Sequence, residues 1–175
     1  MMEHVLNLIR IQADMLHPKT EMNELAFLQK AIGYMHNYPG LIHHPAEELI
    51  FERLQNHAPD AEQLCIKLTD QHKQFSILEI TLLEYISQAQ EGDLGAFELI
   101  KKLSSTYCVE HVDHIAVEEN DLLPQAVSSL TTDDWLDIGY KSNLDMDPLA
   151  NPDILQHHES LYDYIMSSNP SLKAH

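Results

Sequence analysis

Basic residues are scarce. The 175-residue chain carries ten Lys and Arg against 28 Asp and Glu, a formal net charge of −18. Nucleic acid and anionic membrane surfaces are recognised by clustered Lys and Arg, so this composition argues against both as partners. Glycine and proline are few, at five and eight, and no low-complexity tract occurs. Disorder is therefore expected only at the ends. No apolar run approaches the roughly 20 residues of a membrane span. The opening MMEHVLNLIR lacks the basic start, the long apolar stretch and the small-residue cleavage site of a secretory signal. A soluble, cytoplasmic chain is expected. The two cysteines, Cys65 and Cys108, both lie in apolar helical patterns. They read as small buried hydrophobes, not as a disulfide scaffold. Strand signals are missing too. No stretch of about 4–8 residues rich in Val, Ile and Thr alternates with period two.

What is present is helical periodicity. VLNLIRIQADML repeats its apolar residues at three and four, through Val5, Leu8, Ile9, Met15 and Leu16. HPKTE ends that segment. A second helix is expected over residues 21–37, where YPG at 38–40 breaks or kinks it. The pattern resumes over 41–57, with Pro45 either opening that helix or kinking it. Pro59 and Asp60 start a third helix reaching to about Gln90. EGDLG is a loop, in which Asp93 can cap a fourth helix reaching to about Ser128. Beyond it, a short helix around Trp135, a polar loop through Asp147 and Pro148, and a last helix near 152–167 are expected. The fold class is all-α: an antiparallel four-helix bundle over residues 1–130, with a short C-terminal helical extension, 131–175, packed on it.

Histidine is abundant, at twelve, and its spacing matters because imidazole is a common metal ligand. In HHPAEELIFERL (43–54), His43, Glu47, Ile50 and Leu54 share one helical face. His43 and Glu47 are therefore expected to point inward. A buried unpaired carboxylate is costly, and a metal ion removes the difficulty. His44 lies about 100° round the helix and could reach the same cavity from its flank, or support a ligand instead. The unit recurs as His114 and Glu118 in YCVEHVDHIAVEENDLLPQA, on a face with Tyr107 and His111. His72 shares a stripe with Phe75 and Glu79, and His4 precedes Leu8 and Ile11 at helical spacing. The competing reading of each His–Glu unit is a surface hydrogen-bonded pair. Its occurrence twice, on apolar stripes, favours metal. Nitrogen and carboxylate donors without sulfur, enough for two ions, favour a non-haem di-iron centre over structural zinc. His36 and His111 are expected to line or support the site. Glu48 and Glu119 read as solvated or supporting, and Tyr107 as core or cavity cap. His17, His57, His157 and His158 read as surface residues.

EHVLNLIRI, GYMHNYPGLIHHPAEELIFERL, the QH before helix three, EHVDHIAVEENDLLPQA and the DDW…DPL tail together resemble the hemerythrin-like (HHE cation-binding) domains, in particular their bacterial branch. The resemblance implies that His4, His43, Glu47 and Glu118 surround one iron. It implies that His44, His72 and His114, with the same two glutamates, surround the other, and that Glu47 and Glu118 bridge. The sequence departs from the family's oxygen carriers, which have a His-x-x-x-His pair on the third helix. Here Ser76 stands four after His72 and Leu68 four before it, and His44 is the candidate replacement. The departure bears on whether dioxygen binds reversibly. The expected role is binding or sensing of a small ligand: dioxygen, nitric oxide, or redox and iron status. The alternative is a di-iron enzyme acting on peroxide or nitric oxide, or an iron donor for cluster repair. Whether the chain is an enzyme, and whether it forms a homodimer, stay open from sequence.

Overall fold

The computed structural model describes residues 2–142 and Ser167, and every regular element among them is helical. They are α1 (Met2–Met15), α2 (Met22–Met35), α3 (His44–His57), α4 (Glu62–Gln90), α5 (Ala96–Val117), α6 (Leu123–Ser129) and α7 (Thr132–Lys141). Two stretches of wider, π-helical backbone splice helices together: His36–His43 joins α2 to α3, and Glu118–Leu122 joins α5 to α6. Four rods result: α1, α2 through α3, α4, and α5 through α6. In space α1 packs on α2, α2 on α4, α4 on α5 and α5 on α1, which closes the ring of an antiparallel four-helix bundle. Helix α7 is an appendage on α3.

The prolines account for the π-helical stretches. Proline has no N–H and crowds the carbonyl four residues earlier. Pro45 therefore cannot donate to Leu41, nor Pro124 to Asn120. In both places the residue before the proline bonds five positions back, His44 N–H to the carbonyl of Pro39 and Leu123 N–H to that of Glu118. Each five-residue step inserts an extra residue into the turn and rotates the succeeding turns about the helix axis. The YPG segment thus widens the rod without ending it, and Pro45 sits in the first turn of α3. Pro59 opens a short 3₁₀ turn, Pro59–Ala61, that leads into α4. Asp93 does not cap α5; its carboxylate accepts the N–H of Gly95 at 2.8 Å and closes the preceding turn. The start of α7 carries a reciprocal cap between Thr131 and Asp134. The expected loop through Asp147 and Pro148 lies outside the described residues, as does the last helix apart from Ser167.

The core is divided. A larger apolar cluster gathers α1, α2, the later turns of α4 from Phe75 onward and α5 from Ala96 to Ile115. A smaller one gathers Phe51, Leu54, Cys65, Leu68, Leu122, Ala126 and Ile138. Cys65 and Cys108 are buried and free. On α4, His72 falls between Leu68 of one cluster and Phe75 of the other. On the α5–α6 rod, Glu118 falls between Ile115 and Leu122. The polar layer so defined contains the chemistry.

Candidate metal centre

His72 is the hub. It is buried on α4, and its Nε2 stands 3.0 Å from His114 Nε2, 3.6 Å from Glu118 Oε1 and 3.7 Å from Glu47 Oε2. Two groups of potential donors share it: His44, His72 and His114 form one, and Glu47, His72 and Glu118 the other, with the donor atoms of each within 4.8 Å of one another. The His44 and His72 rings stack at 4.0 Å, and His43 Nε2 approaches Glu47 Oε1 to 2.9 Å. His114 Nε2 is 3.1 Å from Glu118 Oε1.

Behind the donors stand polar supports. The other nitrogen of His72, Nδ1, pairs with Glu48 Oε1 at 2.7 Å, and the Thr69 hydroxyl donates to Glu48 Oε2 at 2.6 Å. His114 Nδ1 meets Gln71 Oε1 at 3.2 Å. Such partners fix an imidazole's tautomer and aim its free nitrogen. A surface cavity of about 460 Å³ reaches His44 and His72 past Gly40, Pro45, Thr69 and Lys73.

Among known families, the model of the hemerythrin HHE cation-binding domain matches residues 2–126. The chain belongs to the hemerythrin HHE cation-binding family. No curated protein and no solved structure matches it.

The residues of this HHE domain fit a cation on the structure's own terms. Glu47 Oε2 and Glu118 Oε1 are buried without a hydrogen-bond partner. Glu118 Oε1 nonetheless lies 3.1 Å from His114 Nε2 and 3.6 Å from His72 Nε2, so both imidazoles face it. Buried carboxylate oxygens left this way are costly. Metal bonds of about 2.0–2.2 Å set neighbouring donors roughly 3–3.5 Å apart, close to the spacings around His72. All donors are nitrogen or oxygen.

Of the residues singled out in the sequence, His43, His44, Glu47, His72, His114 and Glu118 converge. His4 does not: it is exposed on α1. The pair His43 and His44 differs from the expectation in emphasis. His44 is buried against His72, and His43 sits half-exposed at the rim. The π-helical step at 36–43 is the reason, because it rotates the face that an uninterrupted helix would have presented. The same step takes His36 away from the donors. Its Nδ1 meets Glu79 Oε2 at 3.0 Å, while Tyr107 donates its hydroxyl proton to Glu79 Oε1 at 2.8 Å. Tyr107 is thus a buried anchor for Glu79. The supports Thr69 and Gln71 escape sequence reasoning, and their only signal there is proximity to His72.

Electrostatics follow from burial. Burial pushes the His44 pKa far down, and the imidazoles of His72 and His111 push it further. His111 is lowered to about 3, mainly by burial and then by His114 and His72. Burial works against the charged forms of His43 and His72 as well, but the carboxylates beside them prevail and both pKa values rise above 6.5. Burial raises Glu118, yet His114 and His72 hold it down at about 2. The raised values carry a sign. At pH 6.5 the metal-free chain keeps a proton on His43 and on His72 that a cation must displace. Cation affinity should therefore fall as pH drops from about 7.5 to 5.5, by up to about tenfold per unit for each displaced proton. Competition with a chromophoric chelator across that range measures it, and a flat profile would contradict the assignment.

Proposed function

We infer that the chain is a cytoplasmic, non-haem di-iron protein that binds or senses a small ligand such as dioxygen or nitric oxide. The observation that carries the reading is the shared hub: two donor groups meet at His72, each with buried donors from different rods. Glu47 and Glu118 would hold both ions, and one oxygen of each, Glu47 Oε2 and Glu118 Oε1, otherwise lacks a hydrogen-bond partner. His43, His44, His72 and His114 supply the nitrogens. Bound iron would supply the Lewis-acid and redox chemistry toward the small ligand. The protein's own part is to aim the imidazoles through Glu48 and Gln71 and to offer a cavity beside His44 and His72. Two free, buried cysteines suit a reducing compartment. No helix among the described residues is long and apolar enough to cross a membrane.

Metal content and absorption, measured together, test the reading on untagged protein from iron-supplemented cells. About two irons per chain, with charge-transfer bands in the near ultraviolet and visible, are expected from N/O ligation of a bridged pair. One tightly held zinc, or no metal, would overturn it.

A further inference from the structure

His111 is the one buried histidine of the layer to which the di-iron reading gives no task. It is 0 % exposed, and neither of its ring nitrogens has a hydrogen-bond partner. A neutral imidazole needs one acceptor for its N–H and one donor, or a metal, for its lone pair. Buried polar atoms without partners are rare, and each calls for a cause. Among the buried side chains of the described residues, Gln12, Glu47, Ser104, Glu118 and His111 carry such atoms. Glu47 and Glu118 belong to the donor groups.

His111 stands beside the two donor groups without being a member of either. It lies one turn before His114 on α5, so its ring faces the same layer. Its ring centroid is 5.8 Å from that of His44 and 6.0 Å from that of His114. Imidazoles on one ion have centroids roughly 4.5–5.3 Å apart when the metal–nitrogen bond is about 2.1 Å, so a small inward movement of the rings would bring His111 onto an ion shared with His44 or His114. The ring is also held in place. Phe75 stacks on it at 4.0 Å, and the Tyr107 ring meets it edge-on at 5.0 Å. His111 is not among the residues lining the cavity beside His44 and His72. On α1, where a bundle helix would have supplied a fourth wall of ligands, His4 is exposed.

We propose that His111 is a further ligand of the metal centre and supplies the imidazole that α1 does not. The inference rests on the cluster being a metal centre. The histidine count of the centre is thereby kept by doubling up on α5, with His111 and His114 three residues apart and Glu118 four beyond.

The test is His111→Leu, which removes the polar atoms and keeps most of the volume. A ligand idle in the metal-free chain costs stability there and returns it on binding. The metal-free variant should therefore melt higher than wild type, by roughly 3–6 °C. In a cobalt(II) titration its affinity for one ion should fall at least tenfold, with altered visible d–d bands. His111→Gln, which restores polarity but no imidazole, should show the same loss of affinity. Wild-type affinity and bands in either variant would overturn the inference and leave the centre standing. Lower melting of metal-free His111→Leu, with an unchanged cobalt spectrum, would make His111 a packing residue and overturn it likewise. Wild-type protein that binds no cobalt would overturn both the inference and the reading beneath it.

Discussion

Glu118→Ala should strip the chain of at least one ion, with affinity lowered by more than about 100-fold. Partners that merely orient a ligand are worth about 10–100-fold, and Glu118 is proposed as a bridge. The same change should destabilise the metal-free bundle by about 3 kcal/mol, because it breaks a buried pairing and leaves His114 and His72 without their carboxylate. Glu47→Ala should lose metal as well, with a smaller stability cost, since its nearest partner His43 is half-exposed. Chelator competition reads the first effect and urea denaturation of metal-free protein the second. Full metal retention in either variant would sink the bridging assignment. The contrast with His111→Leu is one of sign: a carboxylate that already has imidazole neighbours stabilises the empty bundle, and an imidazole with no partner does not.

Phe75→Ala should be among the most damaging single changes in the core. Phe75 is fully buried on α4, one turn past His72. Its ring stacks on His111 and meets His114 edge-on at 5.1 Å and Tyr107 edge-on at 6.0 Å. Removing it opens a cavity that packed rings on three sides cannot collapse into, at a cost of about 3–5 kcal/mol. The urea midpoint should fall with the slope unchanged. Because Phe75 also fixes the pitch of the imidazoles, metal affinity should fall in the surviving folded fraction. A loss below about 1 kcal/mol would mean that the aromatic stack does not hold the layer together.

Most of the architecture is legible in the sequence because it depends on local periodicity. The apolar spacing of α1, the break at His57–Pro59 and the loop at 91–95 each need only a window of a few turns. The His–Glu units are legible for the same reason. What local periodicity does not carry is phase. A continuous α-helix from Met22 to His57 would set His36 and His43 on one stripe. The five-residue hydrogen bond ahead of Pro45 takes them apart, sending His36 to Glu79 and turning His44 inward. Proline is visible in sequence, but whether it kinks, opens or widens a helix depends on how the neighbouring rods receive it. Long-range partners are illegible for a different reason. Nothing local couples Glu48 to His72, 24 residues on, or Glu79 to Tyr107, 28 residues on. The unpartnered state of His111 is likewise a property of the packed interior alone.

The divided core has a consequence for how the molecule comes apart. Apolar contacts are cooperative only where they are continuous, and a band of imidazoles and carboxylates interrupts them between Leu68 and Phe75 and between Ile115 and Leu122. The bundle is therefore two domains of cohesion strung on the same three rods. A multivalent ion in the band would be the rivet between them, since the proposed ligands come from all three rods. Occupancy and mechanical unity then become one quantity. An emptied centre would loosen the joint between the part that carries α1 and the part that carries α7, and so alter the whole chain without moving either part's own packing.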